Sequence, residues 1–92
     1  MSLSPEEKEM LNDFIKETEE KLARTEKELN ETRRQVKKIE LIDKIPWKNF
    51  KPNLDVLDEP KRLTAMVNEL EREERNLKQQ LEILKDYLAV HD

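Results

Sequence analysis

The sequence predicts an all-α chain in which two long helices form an antiparallel coiled-coil hairpin, and we expect oligomerisation to complete it as a helical bundle. Charged residues make up 43% of the 92 residues, aromatic residues only 4%, and glycine is absent, which is typical of long helices and not of sheets. Apolar residues recur every three or four positions in two segments that prolines separate. We therefore interpret residues 1–92 as a single coiled-coil module.

The first helix has its start signal at Ser4-Pro5-Glu6-Glu7. Serine is a favoured N-cap, proline suits the first helical position, and a glutamate three residues after the cap completes a capping box. We expect the first helix to cover about residues 5–42.

A connector of about residues 43–59 interrupts the helical pattern. Pro46 and Pro52 lack a backbone N–H and disfavour helical geometry in the residue before them, so they bar a continuous helix. Asp58-Glu59-Pro60 is a second start signal, and it predicts a second helix over about residues 60–90.

The inward positions of both helices alternate by three and four residues, which is the heptad repeat of coiled coils. Thr18, Thr25 and Thr32 fill most of one inward row of the first helix. Glu74 is the one charged residue among the inward positions Leu63 to Leu88 of the second helix. Each segment spans 28 residues, or about 42 Å of helix, so the two lengths match. The predicted association seam consists of Leu11, Ile15, Leu22, Leu29, Val36, Ile39, Leu63, Val67, Leu70, Leu77, Leu81, Leu84 and Leu88.

Two registers of the hairpin are plausible. In the first, Val36 faces Leu63 and Leu11 faces Leu88, which uses the whole seam but sets glutamates beside each other (Glu28 by Glu73, Glu26 by Glu71). In the second, Val36 faces Leu70, Leu22 faces Leu84 and Thr18 faces Leu88. Its flanks pair opposite charges (Arg33 with Glu71, Glu26 with Lys78, Glu19 with Lys85), and Glu74 lies opposite Thr32. We therefore predict the second register.

The second register leaves Leu11 and Phe14 beyond the end of the second helix, and Met10, Met66 and Tyr87 lie off the seam in either register. These residues are candidates for a second contact face between two hairpins. A parallel homodimeric rod is the rival architecture, with the weakness that three threonine layers would occupy positions where leucine is favoured.

The connector and the end of the first helix form a candidate partner-binding tip. Residues 33–51 contain seven basic residues and two acidic ones, a charge of +5 in a chain whose net charge is −4. The connector also holds the only tryptophan, which either plugs the end of the bundle or anchors a partner. The candidate tip residues are Trp47, Phe50, Lys44, Lys48, Lys51, Arg33, Arg34, Lys37 and Lys38.

Several classes of function are disfavoured by the sequence. There is no cysteine for a thiolate metal site, His91 has no second histidine, and a chain without glycine has no phosphate-cradling loop. The glutamate clusters lie on predicted solvated helix faces, where no cleft raises a carboxylate pKa for catalysis. We expect no enzymatic activity, no cofactor, no metal and an intracellular location.

The sequence therefore predicts a non-enzymatic scaffold or spacer that associates with protein partners, as a homodimer or a hetero-oligomer, through coiled-coil packing. The alternative is an adaptor whose basic tip captures an acidic partner. We favour a protein as that partner over nucleic acid or a membrane surface, which stay as alternatives, because the net charge of −4 opposes general affinity for polyanions.

Overall fold

The computed structural model describes residues 2–50 and 60–91. These residues form two α-helices and no strand, with α1 at Pro5–Lys44 and α2 at Pro60–His91. The two helices pack against each other as a helical hairpin. The prediction of an all-α chain with two long helices is confirmed, and α1 runs two residues further than we expected.

The start of α1 is held by the predicted capping box. The Ser4 hydroxyl accepts a hydrogen bond from the Glu7 backbone N–H at 3.1 Å, and the Ser4 N–H donates to the Glu7 carboxylate at 3.2 Å. The residue before the cap, Leu3, links the start of α1 to the end of α2, because its backbone N–H donates to the His91 carbonyl at 3.2 Å. The chain start thus satisfies one of the carbonyls that a helix C-terminus leaves without a partner.

The core of the hairpin is the predicted seam. Ile15, Leu29, Leu63, Leu70, Leu77 and Leu81 are buried, and the other seven members are half-buried. Thr18, Thr25 and Thr32 are buried with them, so the threonine row also faces α2.

The threonine hydroxyls are satisfied inside α1. Thr18, Thr25 and Thr32 each donate to the carbonyl four residues earlier, at 2.8, 2.9 and 2.8 Å. This local bond removes the cost of burying an unpaired hydroxyl and leaves the methyl group for packing. The second register sets Glu74 opposite Thr32, but the Thr32 hydroxyl donates to the Glu28 backbone carbonyl and the Glu74 carboxylate lies 3.8 Å from the Lys78 ammonium.

The contacts between the helices agree with the first register, so the prediction of the second register is wrong. The Gln80 amide donates to the Thr18 hydroxyl at 2.9 Å, whereas the second register sets Thr18 opposite Leu88, about 12 Å further along α2. The bond between Leu3 and His91 also shows that α1 does not extend beyond α2 at this end. Of the charge pairs that favoured the second register, Arg33 with Glu71 is present at 3.0 Å.

The choice of register follows from the relative size of two effects. Compared with the second register, the first brings Leu11 and Ile15 of α1 opposite Leu88 and Leu84 of α2, and fully burying one apolar side chain of this size contributes roughly 1.5–3 kcal/mol. A like-charge pair on a helix surface costs only about 0.2–0.5 kcal/mol. Arg33 reduces even this cost, because its guanidinium reaches Glu71, one of the four glutamates that the first register sets beside each other. Apolar overlap therefore outweighs the flanking charges.

Candidate association surfaces

Residues 45–50 form a turn that closes the end of α1. Ile45 is extended, and its N–H donates to the Ile42 carbonyl at 3.2 Å. The half-buried Trp47 places its indole N–H 2.9 Å from the same carbonyl oxygen. Trp47 therefore has a structural role as a cap on the C-terminus of α1.

The outer side of this turn is apolar and exposed. The Phe50 N–H donates to the Trp47 carbonyl at 3.0 Å, and the two ring centroids lie 6.1 Å apart. Phe50 is 67% exposed, although its ring is large and apolar. Lys48, which follows Trp47 in the sequence, has a φ of 58°. This is the left-handed region, which costs a non-glycine residue about 1–2 kcal/mol. The turn thus holds an exposed aromatic ring beside a strained backbone.

The basic residues of the predicted tip divide between two places. Arg33, Arg34 and Lys37, together with Asn30, line a surface groove of about 300 Å³ on α1. Lys38 and Lys44 are exposed further along the helix, and Lys48 is exposed in the turn. Lys51 lies outside the described residues.

Exposed charged residues border one long side of the hairpin. Arg33, Lys37 and Glu40 of α1 and Thr64 of α2 line a groove of about 290 Å³ between the two helices, together with the half-buried Val36 and Val67. The ion pair of Arg33 with Glu71 lies on this side, with both side chains more than 40% exposed. An exposed pair of this kind contributes at most about 1 kcal/mol to stability.

The opposite long side carries an exposed apolar face. Phe14 and Tyr87 border a shared groove of about 320 Å³ near the chain termini, together with Leu3, Met10 and Leu11. Heptad spacing adds Ile83 and Val90 of α2 to the same side, because they lie four residues before and three residues after Tyr87. We define the apolar face as Met10, Phe14, Ile83, Tyr87 and Val90, whose exposed fractions are 64%, 45%, 60%, 48% and 78%.

The amino-acid sequence predicts this face only in part. Met10, Phe14 and Tyr87 are candidates for a second contact face from the heptad pattern, whereas Ile83 and Val90 are not among the predicted residues. The signal is a second heptad row beside the seam, in which Ile83 and Val90 are seven residues apart. The third off-seam candidate, Met66, is half-buried at the other end of α2.

Two other kinds of site are absent from the part of the chain that the structure describes. There, no group of three histidine or acidic side chains could hold a metal ion. Neither α1 nor α2 is long and apolar enough to cross a membrane. In comparisons with protein-family models, curated proteins and solved structures, the chain has no match.

Proposed function

We propose that this chain is a non-enzymatic assembly module, an antiparallel coiled-coil hairpin that associates with helical protein chains and serves as a scaffold or spacer. The observation that carries the proposal is the amount of surface that the hairpin leaves in solvent. It exposes 7820 Å², whereas a compact monomer of 11.1 kDa exposes about 5,700 Å². The excess of about 2,100 Å² exceeds the roughly 800 Å² that each partner buries in a standard protein interface.

The shape and the packing of the hairpin support the same proposal. The chain measures 73 × 16 × 15 Å, so every residue is close to the surface and the core is one layer deep. The apolar face adds large side chains that the hairpin does not cover. Contiguous exposed apolar residues are typical of protein interaction sites.

Sedimentation equilibrium of the full chain over a wide concentration range tests the proposal. We expect a reversible oligomer, with a melting temperature that rises with protein concentration because association stabilises only the folded chain. A monomeric mass at all concentrations, with cooperative unfolding at a fixed temperature, would contradict self-association as the basis of the function.

The second candidate function is an adaptor that captures an acidic protein at the tip. It is favoured by the exposed Phe50 ring, whose centroid lies 6.1 Å from that of Trp47, and by the exposed Lys48 in the same turn. Tryptophan is one of the residues in which binding hot spots are enriched.

Phe50 is a better probe of the adaptor than Trp47, because Trp47 also caps α1. We expect Phe50→Ala to leave helicity unchanged and to weaken binding of polyglutamate, measured by Trp47 fluorescence at low salt. Lys37→Glu should weaken the same binding through charge. If polyglutamate binds the wild type and both variants equally, or does not bind the wild type, the adaptor is excluded.

A further inference from the structure

We propose that the apolar face docks a second copy of this chain, with the α1 helices of the two copies antiparallel and the chain-termini end of each hairpin against the tip of the other. This inference rests on the proposed function and specifies its partner, its surface and its register. The charge and apolar pattern along the exposed side of α1 carries the argument.

The side of α1 that continues the apolar face has apolar residues at both ends and charges between them. Met10 and Phe14 lie near the chain termini, while Ile42 and Ile45 lie near the tip. Ile45 is 39% exposed, and Met66 of α2 lies on the same side close to the tip. A second copy in the reverse direction would cover both apolar ends at once, with Met10 against Ile45 and Phe14 against Ile42.

In the same arrangement, the charged residues of one heptad row between these ends lie opposite residues of opposite charge in the second copy. Glu17, Arg24, Glu31 and Lys38 follow Met10 at intervals of seven residues, so these five occupy one heptad row of α1, and Ile45, the C-cap residue, follows at the next interval. When Met10 faces Ile45 of the second copy, Glu17 faces Lys38 and Arg24 faces Glu31. Two-fold symmetry repeats each pair, which gives four opposite-charge contacts.

Other symmetric arrangements of two hairpins lack this complementarity. A parallel pairing of the α1 helices sets every charge against its own copy. A two-fold axis parallel to the helices leaves the position of each residue along the helix axis unchanged. The observed register of α1 and α2 then sets Glu31 beside Glu69 of the second copy, and Glu28 beside Glu73. Like charges at matched positions disfavour both arrangements.

The proposed arrangement has its own unfavourable contact near the symmetry axis. Phe14, Glu28 and Ile42 lie in one heptad row at intervals of 14 residues. When Phe14 faces Ile42 of the second copy, the midpoint of this row, Glu28, faces Glu28 of the second copy. The side chain is exposed in the single hairpin, so solvent and the nearby Arg24 screen the repulsion. The observed register also brings Glu69 of each copy near Glu73 of the other, which adds two like-charge contacts, so the four attractive contacts outnumber the unfavourable ones by one.

The first experiment tests the surface with a matched pair of variants. Met10 and Leu41 are exposed to the same extent, 64% and 61%, but Leu41 lies on the outer side of α1, away from the apolar face. We expect Met10→Glu to raise the dimer dissociation constant about 100-fold, because each dimer loses two apolar contacts and acquires two charges in their place. Leu41→Glu should change it less than twofold. Circular dichroism checks that both variants keep their helicity.

The second experiment tests the register by mixing two single variants. Arg24→Glu sets glutamate against glutamate in its own dimer, and Glu31→Arg sets arginine against arginine, so each should dimerise about tenfold more weakly than the wild type. In a mixed dimer, the glutamate introduced by Arg24→Glu faces the arginine introduced by Glu31→Arg in the other chain. The other pair, Glu31 of the first variant with Arg24 of the second, is the same as in the wild type. The mixture should therefore dimerise about as tightly as the wild type.

The outcomes separate this inference from the proposed function. If the wild type oligomerises but Met10→Glu and Leu41→Glu have equal effects, the docking surface is elsewhere and the inference fails alone. If the mixed variants dimerise no better than either variant alone, the register is wrong. A wild type that stays monomeric at millimolar concentration overturns the proposed self-association, and this result appears before any variant is made.

Discussion

The three buried threonines show how a polar residue is accommodated in an apolar seam. Each hydroxyl bonds to a carbonyl of α1 that is also part of the helix, so the side chain needs no partner on α2. Thr18 differs from the other two, because its oxygen also accepts a hydrogen bond from Gln80 across the interface. The same residue type thus has a purely local role at one position and an interhelical role at another.

We expect Thr25→Val and Thr18→Val to have different effects on the free energy of unfolding. Thr25→Val removes a hydroxyl with no described partner on α2 and should be neutral or stabilise by up to about 1 kcal/mol. Thr18→Val removes the acceptor of Gln80 and should be about 1 kcal/mol less stable than Thr25→Val. Urea unfolding of both variants at one protein concentration measures the difference. Equal stabilities would mean that the Gln80 bond contributes nothing.

Trp47 is a second residue whose role depends on one atom. Trp47→Phe keeps an aromatic ring but removes the indole N–H that donates to the Ile42 carbonyl. We expect it to lower the free energy of unfolding by about 1 kcal/mol, the usual net value of one hydrogen bond. Phe50→Ala is the control, because its exposed ring should contribute little to stability. A Trp47→Phe variant as stable as the wild type would exclude the capping role.

At the scale of the helices, local signals in the sequence were sufficient to predict both elements. The Ser4 cap, Pro5 and Glu7 predicted the start of α1, and the heptad repeat predicted which faces are buried, because both depend on neighbours within one helix. The register depends on the sum of many contacts between helices. The flanking charge pairs favour the second register, whereas the observed contacts agree with the first, in which Arg33 still reaches Glu71.

The register predicts which engineered cysteines can crosslink within the hairpin. Val36 borders one groove with Thr64 and Val67, and another with Pro60 and Thr64, so it lies at the turn that contains Leu63. We expect Val36→Cys with Leu63→Cys to form an intrachain disulfide on oxidation. Val36→Cys with Leu70→Cys, the pair of the second register, should not, since the cysteines are about 10 Å apart along the helix. The chain has no cysteine of its own, so mass spectrometry reads the result directly.

At the scale of the whole molecule, the two long sides of the hairpin differ. One side carries the ion pair of Arg33 with Glu71, and the other carries the apolar face. In the proposed dimer, the two copies form a closed pair, because a two-fold contact uses the same surface on both copies and leaves the side with the ion pair in solvent. This sidedness favours a discrete dimer of hairpins over an open filament.

The last prediction concerns Glu28, which faces its own copy in the proposed dimer. Glu28→Gln removes two like charges from the centre of the interface and keeps the size and helix propensity of the side chain. We expect the dimer dissociation constant to fall about threefold at low salt and the gain to diminish at high salt, where the Debye length is only about 3 Å at 1 M. Glu20→Gln is the control, because Glu20 is also exposed on α1 but lies on the outer side of the helix. Sedimentation equilibrium of both variants at two ionic strengths separates a local contact from the general effect of reducing the negative charge of the chain. Equal gains for Glu20→Gln and Glu28→Gln would indicate only the general effect, and the position of the symmetry axis near Glu28 would then be wrong.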